Sequence, residues 1–166
     1  MLDSFFGLPA HPLIVHATVV VVPAAAISVL VATLRPRFRA WAGWLPAALS
    51  LAGAILAPLS TSSGEELEHL TGSSTLVNEH AELGELLLWW VLPLAILSAA
   101  AWWLHHRPST AVPSWAHWVV RGGSVVVAVG TLVIVALIGH SGAKAAWDDV
   151  AAGAAAPTSV AVHPSH

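Results

Sequence analysis

Four histidines lie at or near the ends of apolar runs in this chain of 166 residues: His11, His16, His80 and His140. Imidazole is the commonest metal ligand in proteins and a common haem ligand, so these residues favour cofactor chemistry. An ionisable side chain at membrane depth is costly and usually has a function. The chemistry depends on the elements that position the four side chains.

Composition places those elements in a membrane. The chain is 57% hydrophobic and only 9% charged, whereas about 25% of the residues in a soluble domain are charged. So few charges cannot cover a soluble surface, and lipid must cover most of it. The absence of cysteine excludes disulfides, thiolate metal sites and covalent c-type haem. No nucleic acid is expected as a partner, because no basic patch or nucleic-acid motif occurs.

Four apolar segments are long enough to span a bilayer, which takes about 20 residues. They run from about Pro12 to Leu34, Trp41 to Leu59, Leu83 to Leu104 and Trp115 to Gly139. The pattern predicts an all-α integral membrane protein, a four-helix transmembrane bundle of up-down-up-down order. Residues 1–147 are expected to form this single domain. Residues 148–166, rich in Ala, Pro, Ser and His, are expected to form a flexible outer tail.

Charges predict the orientation of the bundle. The arginines, at positions 35, 37, 39, 107 and 121, all fall on one side of the threaded chain, and every acidic residue falls on the other. The positive-inside rule then predicts a bacterial plasma-membrane protein with the Arg35–Arg39 loop in the cytoplasm and both termini outside. Six tryptophans mark the same inner face as an aromatic belt: Trp41, Trp44, Trp102, Trp103, Trp115 and Trp118.

The outer loop between the second and third spans is expected to run from Ser60 to Asn78, with Asn78 capping the third span. Within it, Gly64–Leu70 could form a short surface helix that places Glu65 and His69 on one face. That spacing can hold a metal, but a solvated acidic face is the favoured interpretation.

In this predicted topology, all four histidines lie on the outer side of the membrane. The first and third spans are diagonal in such a bundle, so His16 and His80 are expected to face each other as the axial ligands of haem b. Gly84 lies one turn from His80 and would leave room for a flat macrocycle. His140 could replace either ligand, and His11 lies where the first span begins.

Two other interpretations stay open at this point. One is a non-haem zinc or copper site built from His11, His16, His80 and His140, with Glu85 nearby. The other is that the histidines are ordinary interfacial residues of an accessory subunit without a cofactor. For the redox interpretation, the partners expected beside the lipid bilayer are a quinone or an outer redox protein. Small residues in the spans leave a homodimer open, and the residues do not decide whether the chain is an enzyme.

Two sequence motifs carry a family resemblance. Gly7-Leu-Pro-Ala-His11-Pro-Leu-Ile-Val-His16 opens the first span, and Gly139-His140-Ser-Gly142 follows the fourth. With a lone His80 opening the third span, this pattern resembles the bacterial membrane proteins grouped as domain of unknown function 2231. Ala143 stands where that family has a further glycine. The resemblance covers about Leu8 to Trp147 and implies a four-helix membrane protein related to b-type cytochromes, with redox work.

Overall fold

Helices make up almost all of the part of the chain that the computed structural model describes, residues 4–5, 8–71, 74–108 and 112–155. The helices are α1 (Ala10–Leu34), α2 (Pro36–Ala42), α3 (Leu45–Thr71), α4 (Thr75–His105) and α5 (Ser114–Ala155). Two short strands, β1 (Ser4–Phe5) and β2 (Leu8–Pro9), pair antiparallel just before α1.

The four long helices each contain a segment long and apolar enough to cross a membrane: His11–Leu34, Leu45–Glu66, Thr75–His105 and Ser114–Lys144. Their outer faces carry large apolar side chains, such as Val20 and Val126, which are 66% and 65% exposed. Lipid, not water, suits such a surface. The prediction of an all-α, four-helix membrane bundle is confirmed, and the chain is a multi-pass membrane protein.

Helix α3 is longer than the sequence indicated. The Gly64–Leu70 stretch, expected as a separate surface helix, forms the last turns of α3. Hydroxyl groups stabilise these polar turns by bonding back to the helix itself, as when Ser62 Oγ donates to the Pro58 carbonyl oxygen at 2.8 Å. The expected loop is therefore mostly helical.

The start of α4 also differs from the prediction. Ser74, not Asn78, is the N-cap, and its hydroxyl accepts a hydrogen bond from the Val77 amide at 3.2 Å. The Asn78 amide already donates to the Ser74 carbonyl oxygen inside the first turn. His80 consequently lies more than one turn inside the helix.

Helix α5 continues 42 residues, well beyond the expected end at Gly139. His140 therefore lies within a helix, and the expected boundary between residues 147 and 148 falls inside the same helix. The last part of the expected tail, residues 156–166 with His163 and His166, lies outside the described residues.

The bundle consists of two helical hairpins. The first hairpin is α1 with α3, joined through α2, and the second is α4 with α5. Helices α1 and α4 each pack along α3 and α5 and are diagonal to one another, as the sequence predicted. At the centre, Gly53 of α3 lies between Val22 and Val91. A Cβ atom at Gly53 would be 3.2 Å from a methyl group of each, so a glycine allows this close approach.

The two ends of the bundle differ in charge. We call the end that carries His11, His80 and His140 the histidine end, and the other, with all five arginines of the chain, the arginine end. The acidic residues at the close of α3 and the start of α4 lie at the histidine end. The separation of charge inferred from the sequence is thus retained in the fold.

Candidate functional site

A cavity of about 460 Å³ lies among the four long helices at the histidine end. Its apolar wall includes Val15, Val19, Leu87, Val135 and Ile138, and its polar groups include His11, His80, Glu65, Glu68 and Glu85. Ligand sites in proteins typically have volumes of about 300–1,000 Å³, mostly apolar walls and a few polar groups. The cavity has these properties.

His80 of α4 is held by a serine from the neighbouring helix. Its Nδ1 lies 3.0 Å from the Oγ of Ser141 in α5. Ser141 is buried, and its hydroxyl donates its own proton to the carbonyl oxygen of Ile138 at 3.0 Å. A serine hydroxyl has one proton to donate. With that proton assigned to the Ile138 carbonyl, Ser141 Oγ accepts from His80, and the imidazole proton is assigned to Nδ1.

His11 of α1 is held in the same manner within the first hairpin. Its Nδ1 lies 2.9 Å from the Oγ of Ser63 in α3. Ser63 is also buried, and its hydroxyl donates to the carbonyl oxygen of Ser60 at 3.0 Å. The same proton count therefore places the proton of His11 on Nδ1.

Each imidazole also packs against the glycine that follows its serine. A Cβ atom at Gly142 would be 3.0 Å from Cε1 of His80, and one at Gly64 would be 3.3 Å from Cε1 of His11. A side chain at either position would crowd the ring. Each Ser-Gly pair thus supplies a hydrogen-bond acceptor and a surface without a side chain.

These contacts leave Nε2 as the unprotonated nitrogen of both rings while the imidazoles are neutral. An unprotonated Nε2 can coordinate a metal or accept a hydrogen bond. Metal-binding histidines usually donate the other ring N–H to a fixed acceptor, which sets the tautomer and the ring orientation. His11 and His80 both have this arrangement, and both line the same cavity.

Three carboxylates line the same cavity. Glu68 is half-buried, whereas Glu65 and Glu85 are exposed. No arginine or lysine is among the described residues that line the cavity. The electrostatics of the site therefore favour a bound group whose centre is positively charged.

His16 and His140 do not line the cavity, and both side chains are exposed. His16 donates from Nδ1 to the carbonyl oxygen of Pro12 on its own helix. His16 is five positions after His11, a rotation of about 140° around a helix of 3.6 residues per turn, so one helix face cannot present both. His11 and His80 are the two histidines that share the cavity, whereas His16, the expected partner of His80, does not line it.

Other sequence predictions about the site have mixed outcomes. Glu85 lines the cavity, as does Gly84. A Cβ atom at Gly84 would meet only Thr61 at an ordinary 3.6 Å, so the cavity does not depend on that glycine. No three His, Asp or Glu side chains of the described residues are grouped to hold a metal ion. The side chain of His69, paired with Glu65 in the sequence analysis, lies outside the described residues.

Sequence reasoning missed the two Ser-Gly pairs. Ser63-Gly64 was assigned to a loop, and Ser141-Gly142 was noted only as part of the motif around His140. A signal was present, because the dipeptide Ser-Gly occurs at these two places and nowhere else in the sequence. Each pair lies on the helix that forms a hairpin with the helix of its histidine: α3 for His11 and α5 for His80.

Comparison with known proteins agrees with the fold. No curated protein and no solved structure matches the chain. The family model described as "Predicted membrane protein (DUF2231)" matches residues 7–154. This range includes both histidines of the cavity, both Ser-Gly pairs and all four spans. The chain therefore belongs to the DUF2231 family of membrane proteins.

Proposed function

We propose that this protein is a membrane redox protein that binds haem b in the cavity at the histidine end, where His11 and His80 would hold the haem iron. The observation that carries the proposal is the pair of imidazoles, each fixed by a buried serine so that its Nε2 is free. These two nitrogens would bind the iron of the haem. The two histidines lie on the diagonal helices α1 and α4.

The walls of the cavity also fit a porphyrin. Aliphatic side chains from α1, α4 and α5 line it, among them Val15, Leu87 and Ile138. With no cysteine in the chain, such a haem would be held by ligation and packing alone. When bound, haem supplies one-electron redox chemistry. The protein's part is to fix the two imidazoles, exclude water through the aliphatic wall and place carboxylates beside the centre, which favours its more positive, oxidised state.

A bare zinc or copper ion is the alternative, and the donor set favours it less. A structural zinc site takes four protein ligands and a catalytic site usually takes three. The cavity offers two imidazoles, and the described residues contain no group of three ligands. Glu85 or Glu68 would have to move to complete such a site. An accessory subunit without a cofactor is a third candidate. It would give no role to the two serines that orient His11 and His80.

The direction of insertion and the partner complete the proposal. The arginine end faces the cytoplasm of a bacterial cell by the positive-inside rule, so the haem lies near the outer face. The electron partner is then a quinone in the outer leaflet or a redox protein outside the membrane. Exposed Glu65 and Glu85 beside the cavity favour a soluble partner with a basic docking surface.

The experiment is a reduced-minus-oxidised absorption spectrum of protein purified from haem-sufficient cells. We expect a b-type signal in the unmodified protein, and its loss in His11→Ala and His80→Ala. His16→Ala and His140→Ala are matched controls, because both histidines are exposed and lie off the cavity. Both controls should keep the signal.

Three outcomes would contradict the proposal. Loss of the signal in His16→Ala but not in His11→Ala would restore the pairing expected from the sequence. A colourless protein with stoichiometric zinc or copper by elemental analysis would establish the bare-metal alternative. A protein with neither haem nor metal would support the accessory subunit.

A further inference from the structure

A second cavity, of about 370 Å³, lies at the arginine end of the bundle. It is separate from the histidine site and shares no lining residue with it. Three arginines from different segments line it: Arg39 of α2, Arg107 after α4 and Arg121 of α5. His105 and His117 lie on the same lining. The cavity thus collects cationic groups that are far apart in the sequence.

Two of these arginines are brought together at the end of α1. Arg39 donates from one terminal nitrogen to the carbonyl oxygen of Ala32, and Arg121 donates to that of Thr33, both at 3.4 Å. The two acceptors are consecutive residues, so the two guanidinium groups reach neighbouring points. Like charges at close range repel, most strongly where water is scarce. A bound anion would remove that repulsion.

Polar atoms of the same cavity lack partners. Ser124 is fully buried and lines the cavity, and its hydroxyl has no hydrogen-bond partner among the described residues. The Nε of Arg39 is likewise buried without a partner. Other buried hydroxyls of the bundle, such as those of Ser50 and Thr131, donate to carbonyl oxygens of their own helices. A buried donor without an acceptor is destabilising, so these two atoms point to a missing acceptor.

No carboxylate is among the described residues that line this cavity. The sequence has no Asp or Glu between Ser4 and Gly64, or between Leu86 and Trp147. These two stretches contain every described residue of the lining. An anion bound from outside the chain would supply the missing acceptor.

The depth of the cavity indicates where the anion comes from. Exposed tryptophans surround this end, among them Trp41, Trp115 and Trp118, and tryptophan marks the level of lipid headgroups. Arg107 lies over the ring of Trp103, with 4.6 Å from Cζ to the ring centroid, an arrangement that fixes the guanidinium at that level. The cavity thus lies where phosphate groups of lipids and soluble phosphates both have access.

We propose that the cavity at the arginine end binds a phosphate-bearing anion, held by Arg39, Arg121 and the hydroxyl of Ser124. Guanidinium groups bind phosphate through paired, charge-assisted hydrogen bonds. Basic pockets between membrane helices are a known setting for acidic lipid headgroups. An acidic phospholipid headgroup and a soluble phosphate compound present the same chemistry, so the experiment has an arm for each.

The lipid arm is a titration of purified protein with phosphatidylglycerol, followed by native mass spectrometry, with phosphatidylcholine as the zwitterionic comparison. We expect preferential binding of phosphatidylglycerol, weakened at least about tenfold in Arg121→Gln, because hydrogen bonds to charged groups contribute about 1.5–3 kcal/mol. Arg37→Gln is the matched control, since Arg37 is exposed like Arg121 but does not line the cavity. Arg37→Gln should bind like the unmodified protein.

The soluble arm measures the thermal unfolding midpoint in detergent with inorganic phosphate against chloride at equal ionic strength. A rise in the unmodified protein and in Arg37→Gln, but not in Arg121→Gln, would identify a soluble phosphate as the ligand. Ser124→Ala should weaken whichever ligand binds, and it keeps every arginine in case an arginine variant fails to fold. Equal binding by Arg37→Gln, Arg121→Gln and Ser124→Ala in both arms would overturn the proposal.

Discussion

His80 Nδ1 and Ser141 Oγ lie 3.0 Å apart on two helices that pack side by side, although 61 residues separate them in the sequence. With the hydroxyl proton of Ser141 assigned to the Ile138 carbonyl, this contact assigns the imidazole proton to Nδ1. The histidine that faces the cavity is thereby supplied with a free Nε2.

Removal of that acceptor tests its role. We expect Ser141→Ala to weaken cofactor binding about 10–100-fold, the usual cost of losing the group that orients a ligating histidine. Ser62→Ala is the control, because Ser62 is exposed and bonds only within its own helix. Binding is measured by titration of the purified apoprotein with haemin. Equal affinity in the two variants would show that Ser141 does not position His80.

The glycine behind His80 allows a second test. An added Cβ at Gly142 would lie 3.0 Å from the imidazole, whereas an added Cβ at Gly122 would meet nothing within 4 Å, and Gly122 does not line the cavity. We therefore expect Gly142→Ala to displace the ring and lower haem occupancy, and Gly122→Ala to leave occupancy unchanged. The measurement is the ratio of haem to protein after purification. Full occupancy in Gly142→Ala would mean that the ring has room to shift without loss of ligation.

Packing in the middle of the bundle predicts a stability effect independent of any ligand. An added Cβ at Gly130 of α5 would overlap the ring of Trp90 in α4. We expect Gly130→Ala to destabilise the fold by about 1–3 kcal/mol through overpacking, seen as a lower thermal unfolding midpoint. Gly122→Ala, on the same helix with open space around it, should not lower the midpoint. A midpoint for Gly130→Ala at or above that of Gly122→Ala would contradict this packing.

Orientation in the membrane can be tested directly, because the chain has no native cysteine. Arg37 and Glu79 are both exposed and lie at opposite ends of the bundle, so each is replaced in turn by a single cysteine. In intact cells, we expect a membrane-impermeant thiol reagent to label the cysteine at position 79 and not the one at position 37. Labelling of position 37 alone would reverse the proposed insertion.

The sequence predicted the number, type and order of the spans. These depend on hydropathy and charge averaged over about 20 residues, and such averages can be read from the sequence alone. It did not predict which face of each helix points inward. His11 and His16 lie on the same helix, but their directions differ by about 140°, and packing against α3 decides which of them is held. A hydropathy window contains no such angular information.

The sequence also did not predict where the helices end. The polar run from Ser60 to Gly64 is typical of a loop, yet it is helical here because its hydroxyls bond to carbonyl oxygens one turn earlier. The resulting extension of α3 is what brings Ser63 next to His11. The supports of both histidines therefore lie in segments that the sequence analysis had assigned to connections or helix ends.

The division of the site between two hairpins links its occupancy to assembly of the bundle. Ser63 can hold His11 without the second hairpin, and Ser141 can hold His80 without the first. A ligand that bridges both imidazoles binds only when the hairpins have docked around Gly53, so binding would draw the folding equilibrium toward the docked state. The protein with its ligand bound should have a higher thermal unfolding midpoint than the protein without it. Occupancy of the site would then depend on docking of the two hairpins.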